Sequence, residues 1–197
     1  MLSAGRLFLF SWLLSAIILS TAFAMAPGQT APPADKPLAL KAVLVLTPEF
    51  CATKIKKGTF VSGSETFEVG KAACTELEPA LKGVFSSLTR VTVAPAPEAG
   101  QVVLLPKFGD VDATKTLGAF SDREMIVSLE WTVKDKSGKT VWIETVQGSA
   151  THHMGNTITH EKNLKLIVED SVKNAAEQSA GKMASSPELR KLTQQSE

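Results

Sequence analysis

The sequence predicts an α+β domain with a largely antiparallel sheet and two main helices packed on one face. Short segments that alternate apolar and polar residues run together in the middle of the chain, from Arg90 to Gly148. Apolar stripes at helical spacing lie on either side of them, over Phe67–Leu88 and Asn163–Met183. Strands that are grouped in the sequence favour antiparallel pairing, and amphipathic helices need a sheet to cover their apolar stripes.

A hairpin over Met125–Gly148 organises the sheet. Apolar residues recur at every second position from Val127 to Val133, which is the period of a strand with one buried face. Asp135–Gly138 predicts a three-residue loop, a type I turn followed by a left-handed glycine. Such a loop sets Trp131 opposite Ile143, so that the large inward residues of both strands meet apolar partners.

In that register Trp142 and Val146 lie on the face of the hairpin that points away from the core. If both are exposed, they form an apolar patch of the kind that binds another molecule. The alternative is that a loop or the N-terminal tether covers them. The two residues are therefore a candidate partner surface.

The segments before the hairpin supply one helix and several strands. Leu38–Phe50 is predicted to form a buried strand, which Pro48 ends or places at a sheet edge. Pro79 falls within the first helical stripe, so the helix either begins there or is kinked by the lost hydrogen bond. The remaining segments are predicted as two short strands and a surface loop, at Arg90–Ala94, Gln101–Leu105 and Pro106–Asp122.

The segments after the hairpin are helical. Ala150–Asn156 leads into the second main helix, whose charged residues lie opposite its apolar stripe. Small residues such as Ala175 allow this helix to approach the sheet closely. Ser186 followed by Pro187 is a cap and first-turn signal, which predicts a short terminal helix over Pro187–Gln194.

The N-terminus has the three parts of an export signal over residues 1–24. Arg6 is its only charged residue, Leu7–Leu19 is almost wholly apolar, and Ala22–Ala24 fits the small-x-small rule for cleavage. An uncleaved membrane anchor is the alternative. A flexible, proline-rich tether over residues 25–37 and a single α+β domain over residues 38–197 follow. We expect a periplasmic or secreted protein.

The net charge does not identify the partner, but it argues against a protein that binds nucleic acids. The chain has 21 basic and 20 acidic residues, and removal of the signal with its Arg6 leaves equal numbers. Nucleic-acid binding normally requires a basic surface, which a neutral chain without a long basic run does not predict.

Cys51 and Cys74 are the only cysteines of the chain. In an exported protein, two cysteines favour a disulfide. Here the bond would close the loop between them and stabilise the fold by about 3 kcal/mol in the chain-entropy model. Two inert thiols, or a reactive thiol at Cys74 near a helix start, are the alternatives.

His152, His153 and His160 are all the histidines, and Met154 lies beside the first two. Imidazole and thioether ligands suit copper, and imidazole also suits zinc, so a metal site is the alternative function. The competing interpretation is three polar residues on a surface loop that leads into a helix.

A hydrolase is a third possibility, in which Asp110 or Asp112 orients a histidine and a serine attacks. No Gly-x-Ser-x-Gly nucleophile elbow, phosphate loop or dinucleotide fingerprint occurs in the sequence, so we predict no catalytic residues and no cofactor.

Three segments make the chain similar to small bacterial envelope lipoproteins. They are Phe67–Gly70 before a helix that ends at Val84-Phe85, the hairpin Trp131–Trp142, and the closing helix from Val168. The chain resembles the lipopolysaccharide-assembly lipoprotein, ABC-transport auxiliary lipoproteins and relatives of the curli-secretion lipoprotein. The resemblance implies a non-enzymatic protein that binds an outer-membrane or transport partner. The lipobox cysteine of those proteins is missing near Ala24.

Together these observations predict an exported, non-enzymatic module for binding or assembly in the cell envelope. Its partner would be an envelope protein or lipid, with peripheral membrane association as one possibility. The sequence does not set the oligomeric state.

Overall fold

The computed structural model describes residues 36–59, 63–96, 98–113, 122–154 and 157–194. The elements in chain order are β1 Leu38–Val45, α1 Pro48–Cys51, β2 Ile55–Thr59, β3 Gly63–Phe67, α2 Val69–Leu81, β4 Phe85–Val91, β5 Gln101–Asp112, β6 Asp122–Lys134, β7 Thr140–His153, α3 Thr157–Ser185 and α4 Pro187–Gln194. The predicted signal over residues 1–24 and all but the last two residues of the predicted tether lie outside the described residues. Within the described ranges, no helix combines the length and apolar character that crossing a membrane requires.

The main sheet has five strands in the order β4-β1-β5-β6-β7, and β2 and β3 form a separate two-stranded sheet. The α+β class and the mainly antiparallel pairing are confirmed. The sheet is nevertheless mixed, because β1 pairs in parallel with both β4 and β5. The described residues contain four helices: α2 and α3 are the two main ones, α4 is the predicted short terminal helix, and α1 was not predicted. The β1–β4 pair is parallel because the connection between these two strands includes α2, which returns the chain to the end of the sheet where β1 begins.

The outer face of the main sheet, on the side away from α2 and α3, carries a second, smaller cluster of apolar residues. Val43 and Val45 of β1 and Val103 of β5 form it, and each side chain is at most 4% exposed. The partly buried Val91 and Leu105 pack against this cluster.

The main core lies between the other face of the sheet and α2, α3 and α4. Leu77 and Leu81 of α2 and Ile167 of α3 are completely buried in it. Trp131 of β6 is also fully buried, and its indole N–H donates to the Ser179 hydroxyl of α3 at 2.8 Å. A buried indole needs such a partner, so this bond fixes the position of α3 along β6.

Gly148 is the point of closest approach between β7 and α3. A Cβ atom at Gly148 would lie 2.1 Å from the backbone nitrogen of Ala175 and 2.3 Å from the carbonyl oxygen of Ser171. Both are backbone atoms of α3, so neither can move without the helix. The close approach of α3 to β7 therefore requires the small residues of the helix and also glycine at position 148.

The turn of the hairpin is as predicted, but the register beyond it is not. Gly138 has a φ of +76°, and the Asp135 backbone N–H donates to the Lys139 carbonyl at 2.9 Å, which closes the three-residue loop. The register then shifts by one residue at Val141, so that Trp131 lies opposite Glu144 instead of Ile143. A β-bulge of this kind turns every following side chain of β7 to the other face.

Several element boundaries also differ from the prediction. β5 continues through Pro106 to Asp112, where a loop was predicted. Pairing with β1 stops at Leu104, so Pro106 lies where β5 has one strand neighbour and its missing N–H removes no bond to β6. Pro79 does not start α2: the helix begins at Val69 and ends two residues after the proline. The terminal helix Pro187–Gln194 is confirmed, with the Ser186 hydroxyl accepting from the Leu189 N–H at 3.2 Å.

Candidate functional site

The two predicted disulfide residues are joined in the structure. Cys51 at the end of α1 is bonded to Cys74 in the middle of α2, with their Cα atoms 5.6 Å apart. The structure thus contains the favoured disulfide rather than either thiol alternative. Its consequence is that α1, a helix of only four residues, is fixed covalently to the body of the domain.

The three histidines do not form a metal site. Each one contacts a carboxylate from a different element: His152 with Asp170 at 2.7 Å, His153 with Asp122 at 3.0 Å, and His160 with Glu65 at 3.0 Å. In the described part of the chain, no group of three His, Cys, Asp or Glu side chains is placed to hold a metal ion. Successive residues of β7 point to opposite faces, which separates His152 from His153.

The other parts of the metal and hydrolase hypotheses are also displaced. Met154 is 4% exposed and belongs to the core, so its thioether is not available beside the histidines. Asp110 faces Lys57 at 4.0 Å, and the carboxylates that contact the three histidines belong to other residues.

The expected exposure of Trp142 and Val146 is wrong as well. Trp142 is 9% exposed and Val146 is 3% exposed, and both belong to the main core. The bulge at Val141 turns them toward α3 and turns Ile143 outward, where it is 68% exposed. These two residues therefore do not form a partner surface.

A groove between α1, β2 and β5 is the candidate site that the structure presents instead. Its volume is about 420 Å³, and its lining combines an apolar floor with polar rim residues: Glu49, Phe50, Thr53, Ile55, Pro106, Lys107, Phe108 and Gly109. The rings of Phe50 and Phe108 are stacked, with centroids 4.8 Å apart and planes inclined by 11°. Both rings are only partly buried, so the groove offers aromatic surface to solvent.

Local sequence chemistry builds the α1 wall of the groove. Thr47 caps the helix, because its hydroxyl accepts from the Phe50 N–H at 3.1 Å, and Pro48 occupies the first turn, where its missing N–H costs nothing. Gly70 of α2 donates its N–H to the Thr53 carbonyl at 3.0 Å. A Cβ at Gly70 would lie 2.3 Å from the Phe50 carbonyl oxygen, so the close packing of α1 on α2 requires glycine there.

The β2 wall is held by a buried charged cluster. Ile55 of β2 pairs with Phe67 of β3, and the Arg123 guanidinium lies over the Phe67 ring, 5.5 Å from its centroid. Arg123 is 2% exposed; it forms an ion pair with Glu65 and donates to the Ala113 carbonyl at 3.1 Å. A buried arginine with these partners ties the β2-β3 sheet to β6, which fixes the position of Ile55.

One rim of the groove carries a negative charge. The backbone N–H of Glu49 and the hydroxyl of Thr47 hold the pKa of the Glu49 carboxyl below its usual value. Lys107 also lines the groove, but its ammonium pairs with Glu130 at 3.4 Å on the other face of β5, because neighbouring residues of a strand point to opposite faces. The site is thus an apolar floor beside a carboxylate.

Sequence reasoning missed this groove. The threonine-proline start of α1 was a usable local signal, because Thr47 and Pro48 form a cap and first-turn pair. The contact between Phe50 and Phe108 depends on β5 continuing past Pro106, which no local pattern indicated.

Comparisons with known proteins bear on the fold. No family model matches the chain, and no curated protein matches it. Among solved structures, the minor lipoprotein of Acinetobacter baumannii has a TM-score of 0.50 at 10% identity, over 75% of this chain and 92% of that protein. A DUF330-family protein of Xanthomonas campestris has a TM-score of 0.51 at 8% identity, over 77% and 89% of the two chains. At such low identity the likeness establishes a shared fold and nothing more. That fold also occurs in a bacterial lipoprotein.

Proposed function

We propose that this chain is an exported, non-enzymatic binding module of the bacterial cell envelope, and that the groove between α1, β2 and β5 binds an apolar side chain of a partner protein. The observation that carries the proposal is the partly exposed Phe50–Phe108 stack at the floor of a preformed concavity. The predicted N-terminal export signal and the fold shared with a bacterial lipoprotein support the envelope location.

The groove has the properties of a binding site. The groove is open to solvent, and its volume of about 420 Å³ falls within the range of about 300–1,000 Å³ that is usual for small-molecule sites. The Cys51–Cys74 disulfide and the Gly70 contact hold α1 in place before any partner binds. Binding to a preformed site costs less ordering entropy, so a few aromatic contacts can suffice for affinity.

The charges of the rim favour a protein over a lipid surface. Anionic lipid headgroups are bound by clusters of basic residues. Here the rim carries the negative Glu49, and the ammonium of Lys107 is paired with the carboxylate of Glu130 on the other face of β5. A polar rim around an apolar floor matches the anatomy of a protein–protein contact.

Site-directed photocrosslinking would find the partner. A photoreactive amino acid at Thr53 lines the groove, and one at Thr151, an exposed residue of β7, is the control. We expect an envelope protein that crosslinks from Thr53 and not from Thr151. A partner that crosslinks equally from both positions would contradict the proposal.

Calorimetry with the purified partner then tests the stack. We expect Phe108→Ala to weaken binding about tenfold or more, because aromatic anchors at the centre of a contact contribute more than 1 kcal/mol. Thr151→Ala, at an exposed position of β7, is the control and leaves the affinity unchanged. Unchanged affinity in Phe108→Ala would exclude the groove. Binding to anionic vesicles that Phe108→Ala abolishes would assign the groove to a lipid instead.

A further inference from the structure

The free edge of β7 is divided into a capped half and an open half. Two carbonyl groups of β7 accept from asparagine side chains of α3: Ser149 from Asn174 at 2.7 Å and His153 from Asn163 at 2.8 Å. These carbonyls point away from β6, because backbone groups of an antiparallel strand alternate between its two sides. All odd-numbered residues of β7 beyond the bulge therefore direct their N–H and C=O groups to the outer edge.

The open half comprises residues 143–147. Ile143, Thr145 and Gln147 direct their backbone groups outward, and in the part of the chain that the structure describes no strand or side chain pairs with those groups. The side chains of these three residues are exposed, and among the described residues Ile143 is one of two large apolar side chains with high exposure. No proline or glycine interrupts the segment. Natural sheets usually protect such an edge, as α3 does over Ser149–His153.

We propose that residues 143–147 pair with the same residues of a second copy of this chain, antiparallel, about a two-fold axis at Thr145. The five-stranded sheets of the two copies then form one continuous sheet of ten strands. This interaction surface is separate from the groove and does not depend on what the groove binds.

Side-chain complementarity favours the second copy as the occupant. With the axis at Thr145, the two Thr145 side chains lie opposite each other and Ile143 lies opposite Gln147. Glu144 lies opposite Val146, so the one charged residue of the segment does not meet its own copy. Threonine pairs across antiparallel strands are favourable, whereas like charges that face each other are not. The segment is thus complementary to itself.

The neighbouring registers are excluded by the same residues. An axis at Glu144 would put the two carboxylates opposite each other. An axis at Val146 would place Ile143 against Ser149, whose carbonyl already accepts from Asn174. The remaining register forms about six backbone hydrogen bonds, two for each of its three hydrogen-bonded residue pairs.

The test is sedimentation velocity of the protein purified after expression of the complete chain, over a range of concentrations. We expect a dimer whose fraction rises with concentration. Thr145→Lys and Thr145→Glu each raise the dissociation constant several-fold, because like charges then face each other on the axis. Thr89→Lys, at an exposed position of β4 on the opposite edge of the sheet, is the control and leaves the dimer intact.

Mixing the two variants gives the deciding result. Equal amounts of Thr145→Lys and Thr145→Glu chains form opposite-charge pairs on the axis, so we expect the mixture to regain the dimer that each variant alone has lost. Recovery also shows that both variants are folded. A wild type that stays monomeric, a dimer that the Thr145 variants do not weaken, or a mixture that stays monomeric would each overturn the proposal.

Discussion

Gly148→Ala tests the contact on which the packing of α3 against β7 depends. The added methyl group would lie 2.1 Å from the Ala175 nitrogen and 2.3 Å from the Ser171 oxygen, distances that real Cβ atoms do not adopt. Both atoms are helix backbone, so α3 must move away by about 1.3 Å to bring the shortest distance, 2.1 Å, to ordinary contact at about 3.4 Å. That movement also strains the bond between Trp131 and Ser179 at the centre of the core.

The magnitude follows from these two effects. Overpacking of a close-packed core costs about 1–3 kcal/mol, and weakening a buried hydrogen bond adds about 1 kcal/mol. We therefore expect Gly148→Ala to lower the free energy of unfolding by about 3 kcal/mol, a large part of the usual total of about 5–15 kcal/mol. In a chain of this length the melting temperature should fall by about 6–12 °C.

The measurement is urea unfolding followed by circular dichroism, with the midpoint compared at equal slope. Gly109→Ala is the matched control, because its nearest contact would be the Glu130 carboxylate oxygen at 3.1 Å, on a side chain that can move. In an open strand, glycine to alanine stabilises a protein by about 0.4–1 kcal/mol through the unfolded chain. A neutral or stabilising result for Gly148→Ala would refute the contact described between β7 and α3.

Two further predictions concern the disulfide and the hairpin turn. The double substitution of Cys51 and Cys74 by serine should lower the free energy of unfolding, measured by urea unfolding, by about 3 kcal/mol. The wild type under reducing conditions should lose the same stability. Equal stability of the oxidised and reduced protein would contradict this prediction. The Ser137 hydroxyl donates to the Asp135 carboxylate at 2.6 Å and holds its pKa below the usual value. A lowered pKa means that the carboxylate stabilises the fold above about pH 4, its unfolded value, and that this contribution is lost as the pH falls through the folded value. The difference in melting temperature between wild type and Asp135→Asn should therefore be largest near neutral pH and should shrink toward pH 2; a difference that does not change with pH would show that the charge of Asp135 plays no part.

Features set by neighbouring residues could be predicted from the sequence. The left-handed conformation of Gly138 follows from turn chemistry, and so does the Asp135 carboxylate accepting from the Lys139 backbone N–H. The terminal helix follows from the Ser186-Pro187 cap. The Cys51–Cys74 bond followed from the pairing expected in an exported chain. In each case the deciding atoms are close in the sequence, or the alternatives are few.

Features that depend on distant contacts were decided only by the tertiary structure. A single extra residue at Val141 turned Trp142 into the core and Ile143 out of it, because the packing of β7 on α3 outweighs the register that the turn alone sets. The groove needs Phe50 and Phe108, which meet only after β5 has continued past Pro106. Alternation and capping fix which residues form a strand or helix, but long-range packing selects which faces meet, since its energy is shared among residues far apart in the chain.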